Sequence, residues 1–472
     1  MIYHHLFKQA AAKAPVRVGI IGAGAYGTAV VTQAPYTPGL EVMIVADLSA
    51  TLAKGAFEKA GVDASRLVYC ETVSRAEAEI EKGNRVYTDH CEIVPKLSRV
   101  DVVCESTGSP EGAANYALSA IENGKHVAMC TKDCDVAVGP MLKRLAKEKG
   151  VVYTPVDGDQ HGLFIQMYEW AKVIGLEVIS GGKATDGEFV YDERESTVTI
   201  KTDKHIKPPY QERVSVSAND RRYLEKIPNG GVEEYVARRA EILSGLPQPG
   251  AYDLCEMTVA ANYTGLAPAR DSLWHAPLRI TEIPVAYCTQ ADGGVFKAPG
   301  AIDLATCLRT PNESGLGGGV FLVVRAENAY SNHVMATKGQ IANYDDSACV
   351  LYRPYHLCGV ETSVSLLAAG LLGVDTGSDD FLPRWDLIKV AAEDIAAGDI
   401  FGNDHSHQLT AKITPAKPVA SANPACAHLL TGNRAKVDIP RGTVITYDMV
   451  EEPAHSTLWR LRRLQDETFG TK

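Results

Sequence analysis

Six titratable side chains stand where the flanking sequence gives them chemistry to do. Lys183 closes the run Glu177-Val178-Ile179-Ser180-Gly181-Gly182-Lys183. At the end of a strand it would polarise a carbonyl or pass a proton; a solvated surface lysine is the other reading. Lys132, in Thr131-Lys132-Asp133-Cys134-Asp135 after a second apolar run, is the next candidate for that role. Glu256 falls in the apolar stretch 254–266, where a buried acid must be paired and its pKa can rise, unless the helix turns it to solvent. Arg353 and His356 lie in the polar segment Tyr352 to Glu361. An arginine there would grip a carboxylate or phosphate and a histidine would titrate near neutrality, the alternative being a helix-capping loop. Asp159 belongs to Pro155-Val156-Asp157-Gly158-Asp159-Gln160-His161-Gly162. If that segment is extended, Asp157, Asp159 and His161 share a face suited to a divalent ion or a polar substrate. Gly158 and Gly162 favour a loop instead, so a metal requirement stays open.

The element that would present a reactant to these groups is at the start of the chain. An apolar run from Val16 to Ile21 passes into Gly22-Ala23-Gly24-Ala25-Tyr26-Gly27, then a helical stretch, then a second apolar run from Val42 to Ala46 that ends in Asp47. Strand, glycine turn, helix, strand and acid in that order form a dinucleotide-binding unit. Gly22 permits the tight turn, Gly24 lets backbone approach a pyrophosphate, and Gly27 allows close helix-to-strand packing. Asp47 would accept hydrogen bonds from the adenosine ribose and repel a 2′-phosphate, favouring NAD over NADP, a preference that a nearby Arg or Lys reverses. The strand 100–105 delivers Ser106-Thr107-Gly108, and the strand 125–130 delivers Thr131, to the edge where a nicotinamide ribose lies, a plain turn being the alternative for 106–110.

The remaining elements follow from periodicity. Alternating strands and helices as far as residue 154, with helices over 111–123 and 140–149, predict a parallel sheet. A helix is expected over 163–174, and residues 185–250, polar and proline-punctuated, read as an insertion or oligomer contact without legible chemistry. From about 387 the pattern becomes strands with turn glycines, a small β-rich module, closed by an amphipathic terminal helix around Leu458 to Leu464. Residues 1–15 read as an amphipathic arm. The expected architecture is α/β: a Rossmann-type domain over 1–160, an α+β substrate and oligomerisation domain over 161–386, and the β-rich module with the terminal helix over 387–472.

A chain of 472 residues with 45% hydrophobic and 22% charged residues is globular. Its net charge of -11 argues against nucleic acid or an anionic membrane as partner. Eleven scattered cysteines, none in a Cys-x-x-Cys pair, predict packed thiols. Without a signal-like leader or a long apolar run, a cytoplasmic homo-oligomer, dimer or tetramer, is expected.

The segments GAGAYG, STGSPE and MCTKDCDVAVGP resemble the nucleotide-binding domain of homoserine dehydrogenases, whose corresponding loop also carries a Thr and a Lys. AAEDIAAGDI and VDIPRGTVITYDMV resemble the SAF module that follows it in homoserine dehydrogenase-like proteins. Within that group, ISGGK, CEMTVAANYTGL, QADGGV and YRPYHL resemble the reductoisomerase-like branch, whose activity converts 1-deoxyxylulose 5-phosphate to methylerythritol 4-phosphate. That branch uses NADPH, against which Asp47 is the wrong charge, and it carries a more acidic loop at Gln160 and His161. Residues and resemblance together imply hydride transfer between a nicotinamide and a hydroxyl or carbonyl carbon of a small polar substrate: a sugar acid, polyol or sugar phosphate, with or without isomerisation. Lys183, then Lys132, would carry the proton; Arg353 and His356 would hold an anionic or hydroxyl group; Glu256 and Asp159 would orient hydroxyls or a divalent ion. The reading from another class is an NAD-binding sensor or scaffold that does not turn over.

Overall fold

The computed structural model describes residues 5–8, 14–202 and 212–470, so most of the predicted N-terminal arm lies outside the described residues. Two compact units emerge, one from residues 1–162, 357–409 and 415–472, the other from 163–356 with 410–414.

The first unit is built on a seven-stranded sheet. In chain order it contains β1 (Val16–Ile21), α1 (Ala25–Gln33), β2 (Leu40–Ala46), α2 (Ala50–Lys59), β3 (Leu67–Tyr69), α3 (Val73–Glu81), β4 (Arg85–Thr88), β5 (Val102–Glu105), α4 (Pro110–Glu122), β6 (His126–Met129), α5 (Lys132–Lys149) and β7 (Tyr153–Pro155). The strand order is β3-β4-β2-β1-β5-β6-β7, and every pairing is parallel. Helices cover both faces of such a sheet, so its central strands are buried on both sides and carry near-continuous apolar runs. Val18, Ile20, Val45, Val102 and Cys104 accordingly share one core. The chain leaves β1 toward β2 on one side and later crosses from β4 to β5 on the other, and this switch opens a crevice beyond the carboxyl ends of β1 and β5.

One element differs from the expectation. The helix expected to begin at Pro140 begins eight residues earlier, at Lys132. Proline is favoured in the first turn of a helix, which makes Pro140 a misleading start signal. The actual first turn carries Asp133 and Asp135, whose charges suit the positive end of the helix dipole.

In the same unit, the β-rich module grows from the strand Trp385–Ala391 through antiparallel bridges Val390 to Val444, Ile395 to Ile439 and Ile400 to Arg434. The terminal helix spans Thr457–Phe469. Its Arg462 is fully buried and donates two 2.7 Å bonds to Asp386, one of 2.9 Å to Asp466 and one of 2.7 Å to the Lys417 carbonyl. Removing one partner of a buried pair strands the other charge. Arg462→Met is therefore expected to cost about 3–5 kcal/mol in a denaturant titration; a change within about 0.5 kcal/mol would contradict this reading.

The second unit holds a ten-stranded mixed sheet. Helix α6 (Gln160–Val173) leads into β8 (Leu176–Ala184), followed by β9 (Glu188–Asp192), β10 (Thr197–Lys201), β11 (Arg213–Ser215), α7 (Val232–Ile242), α8 (Ala251–Thr264), β12 (Ala267–Pro268), β13 (Ala276–Leu278), β14 (Ala301–Arg309), β15 (Val320–Ala326), β16 (Ile341–Ala342) and β17 (Cys349–Arg353). Strand β8 lies in the middle, parallel to β14 and antiparallel to β15. Gly181 and Gly182 lie inside this strand, which runs one residue past Lys183. A Cβ on Gly182 would fall 1.7 Å from the Asp303 carbonyl oxygen, and one on Gly181 would fall 2.5 Å from Leu322, so both positions serve close strand packing. Residues 185–250, expected to be a polar insertion, fold β9, β10 and β11 around a core of Phe189, Tyr191, Val198, Val214 and Leu224. Among the described residues no helix is long and apolar enough to cross a membrane.

Candidate active site

The glycine fingerprint occupies the crevice end of β1. Gly22 has φ +98°, and a Cβ there would sit 2.5 Å from the Ser106 carbonyl oxygen at the end of β5. Gly27 packs so closely that a Cβ would lie 1.9 Å from the Gly22 carbonyl oxygen. At Gly24, the N-cap of α1, a Cβ would meet nothing within 4 Å. The tight positions thus serve the fold, while the open one leaves room above a helix N-terminus whose first-turn N–H groups lack intrahelical partners. Ala23 N–H donates to Asp47 Oδ2 at 2.8 Å, and Ser49 N–H donates to Oδ1 at 2.9 Å, fixing the carboxylate at the end of β2. Ala25 opens α1, and Tyr26 reaches away from the glycines to hydrogen-bond Thr362 Oγ1 at 2.7 Å. These groups fit a dinucleotide: a turn for the pyrophosphate, space at Gly24, and a placed acid for the ribose.

Across the crevice, Gly108 N–H donates to Thr131 Oγ1 at 3.0 Å, which brings the ends of β5 and β6 together. Thr107 is held by Glu105, whose Oε1 accepts its N–H at 3.0 Å and its hydroxyl at 2.5 Å. Glu105 is a buried positioning residue that the sequence reading passed over, although an acid closing an apolar parallel strand is an available signal. Burial pushes its carboxyl up to about 7, against the lowering effect of the Thr107 and Thr131 hydroxyls. A carboxyl raised in the folded state holds its proton more tightly than in the unfolded chain, so its contribution to stability falls as pH rises from about 4.5 to about 7. Glu105→Gln, which copies the neutral form, should therefore stabilise the protein increasingly between about pH 5 and pH 8, by at most ~3 kcal/mol. Asp135, raised to about 7 by burial, is common to both proteins. Parallel thermal-melting curves for the two proteins across that range would refute the assignment.

Lys132 is the first residue of α5, half-buried, directly after Thr131. Asp159 lies in a turn before α6, not in a strand, so it shares no extended face with Asp157 and His161. Its Oδ1 accepts Gln160 N–H at 2.8 Å and lies 3.7 Å from Nδ1 of the buried His161. The turn is anchored by Thr362, whose hydroxyl donates to the Asp157 carbonyl at 2.8 Å, and by Ser365, which accepts Asp157 N–H at 2.9 Å.

The second unit brings Lys183 and Glu256 together and adds a third group. Lys183 is 1% exposed, which excludes the surface-lysine reading. Its ammonium pairs with Glu256 and, at 2.8 Å, with Asp253. Asp253 and Glu256 are three residues apart on α8, hence on one helix face. Asp253 was absent from the sequence reading, though that spacing would have found it. Burial pushes its carboxyl up, Lys183 opposes the shift, and Glu256 adds to it. Two acids and one ammonium are thus held together in the interior of the second unit. Asn262, also buried, lies farther along α8.

Arg353 is placed by the sheet. Lys183 faces Val320 on β15, and Val320 faces Arg353 on β17, so all three lie on one register row and share a sheet face. Arg353 stacks on Tyr355, its guanidinium carbon 4.8 Å from the ring centroid. The His356 ring, through Nδ1, hydrogen-bonds the Gly318 carbonyl at 2.7 Å, just before β15. The polar segment 352–361 does not act as one cluster: Arg353 and His356 belong to the second unit, while Gly359 and Glu361 belong to the first. There, a Cβ on Gly359 would sit 2.7 Å from the Tyr26 carbonyl oxygen of α1. The cysteines are all free, and burial raises the thiols of Cys130 and Cys134 well above their ordinary value, leaving them as packing groups.

Three family models match the chain in order. The NAD-binding domain of homoserine dehydrogenase matches residues 22–155, the catalytic domain of oxidoreductase DRL matches 248–362, and the SAF domain matches 390–451. Curated relatives include the 1-deoxy-D-xylulose 5-phosphate reductoisomerases of two Clostridium perfringens strains, each 27% identical over 128 residues, or 27% of this chain. The chain spans about a third (33%) of the length of these relatives. Solved structures that it resembles include a DOX-P reductoisomerase with fosmidomycin and magnesium, at 11% identity, TM-score 0.31, covering 53% of this chain and 58% of that one. GenD2 from gentamicin A biosynthesis in complex with NAD is similar at 16% identity, TM-score 0.26, covering 37% and 45%. The chain thus carries a homoserine dehydrogenase-like NAD-binding domain, an oxidoreductase DRL catalytic domain and a SAF domain, and stands among the NAD(P)-dependent oxidoreductases.

Proposed function

We propose that the protein moves hydride between a nicotinamide and a hydroxyl- or carbonyl-bearing carbon of a small polar substrate, in the class of sugar acids, polyols and sugar phosphates. The observation that carries this reading is Lys183, buried between Asp253 and Glu256 and on the same sheet face as Arg353. When bound, the nicotinamide supplies the hydride acceptor or donor at its C4.

The chain's own residues supply the rest. Gly24 and the first turn of α1 hold the pyrophosphate, Asp47 the adenosine ribose, and Thr107, Gly108 and Thr131 the nicotinamide side. The fixed carboxylate of Asp47 supports NAD as the preferred coenzyme. Lys183 gives a proton to the carbonyl oxygen or takes one from the hydroxyl, with Asp253 and Glu256 as its proton reservoir. Arg353 holds a carboxylate or phosphate and His356 a hydroxyl. A reductoisomerase reaction is the second reading, supported by the 128-residue similarity to the Clostridium enzymes.

Nicotinamide absorbance followed with a panel of polyols, sugar acids, homoserine and deoxyxylulose 5-phosphate tests the proposal. Reduction or oxidation with one member is expected, and deoxyxylulose 5-phosphate as that member would select the second reading. No change with any of them despite saturable NAD binding would make the protein a sensor or scaffold and end the proposal.

A further inference from the structure

The coenzyme unit contains a cavity that the reading above does not use. Helix α4 starts at Pro110, with Ser109 as its cap, immediately after Gly108. Beside it, the Glu111 carboxylate caps the terminal helix, accepting from the Ser456 hydroxyl at 2.5 Å, Thr457 N–H at 2.8 Å and Leu458 N–H at 3.3 Å. On the other side, His428 Nδ1 of the β-rich module lies 3.2 Å from Asp133 of α5. Pro110, Glu111, His428 and Ser456 border an open cavity of about 360 Å³, within the range of small-molecule sites.

The lining has a consistent chemistry. Asn403, Thr431 and Asn433 offer amide and hydroxyl groups, His428 and His455 offer imidazoles, and Pro110 and Trp459 offer apolar faces. No lysine or arginine lines it, and both oxygens of its one carboxylate, Glu111, are already engaged. Trp459 is 4% exposed, and its indole N–H has no hydrogen-bond partner among the described residues. A phosphate or carboxylate would find no counter-charge from Lys or Arg. An uncharged molecule rich in hydroxyls would meet amides and a hydroxyl at its polar edge, and a proline and an indole at its C–H faces.

We propose that this cavity, between the start of α4 and the β-rich module, is a second small-molecule site that takes an uncharged, hydroxyl-rich ligand. The proposal does not rest on the role given to Lys183. Gly108 borders the cavity and also bonds Thr131, so the site touches the loop that faces the coenzyme crevice.

Calorimetric titration of the full chain with three neutral polyols (xylitol, glucitol and inositol), with xylonate and with inorganic phosphate tests this. At least one polyol should bind, and phosphate should not. Thr431→Trp, which fills the cavity, should weaken that polyol at least about tenfold while NAD affinity stays within about twofold. The polyol affinity of Lys183→Met should match the wild type, which separates this site from the catalytic one even if no substrate is found. Should Thr431→Trp fail to fold, Asn403→Ala should weaken the polyol about fivefold, the loss of roughly one hydrogen bond. Absence of binding by all three polyols, binding unchanged in both cavity variants, binding lost in Lys183→Met, or phosphate and xylonate binding in place of the polyols would overturn the proposal.

Discussion

Lys183→Met should lower kcat by about 10²- to 10⁴-fold, the usual worth of a positioned proton carrier, while the Kd for NAD changes less than about twofold. The separation is expected because the glycine fingerprint and Lys183 lie in different units of the chain. Removing the ammonium also strands Asp253 and Glu256, both buried, with a stability cost of about 3–5 kcal/mol. Glu256→Gln is therefore the companion variant: it keeps the Lys183 to Asp253 pair, should fold normally, and should shift the pH profile of kcat by altering the proton reservoir. Wild-type turnover in Lys183→Met, or an unchanged profile in Glu256→Gln, would remove the cluster from the mechanism.

The second large effect separates two glycines three residues apart. Gly24→Ala places a methyl group in open space at the N-terminus of α1, so thermal stability should hardly move. The Kd for NAD should rise about 100-fold, or ~3 kcal/mol, because the methyl would fill the space that the proposed function gives to the pyrophosphate. Gly27→Ala places its methyl 1.9 Å from the Gly22 carbonyl oxygen and should instead destabilise the fold by about 1–3 kcal/mol, lowering the melting temperature before any coenzyme is added. Equal effects of the two substitutions on binding and on melting would show that the fingerprint has a purely structural role.

The coenzyme unit was the more legible in sequence because parallel strands buried on both faces write their own signal: β1 and β2 are near-unbroken apolar runs, and the glycines follow directly. A signal that imitates another element misled. Pro140 inside α5 has the character of a helix start. Residues 185–250 hid a core in short strands, although the alternation in Glu188-Phe189-Val190-Tyr191-Asp192 and Thr197-Val198-Thr199-Ile200-Lys201 is the period of a strand.

Site residues were legible one at a time and not as a constellation. Glu256 stood out as an acid in an apolar helix, but its pairing with Lys183 joins residues 73 apart in sequence, which only the tertiary fold reveals. Arg353 and Lys183 share a sheet row through β15, a relation that no spacing encodes. His356 and Glu361 looked like neighbours by spacing, yet belong to different units.

The central claim is that hydride leaves or reaches the nicotinamide at a substrate carbon. Reduced nicotinamide coenzyme deuterated at C4, incubated with the full chain and the carbonyl forms of the panel, tests it most directly by mass spectrometry of the products. Carbon-bound deuterium should appear in one product, at a rate that collapses in Lys183→Met. Deuterium that stays in the coenzyme with every compound, while the coenzyme binds saturably, would contradict the account.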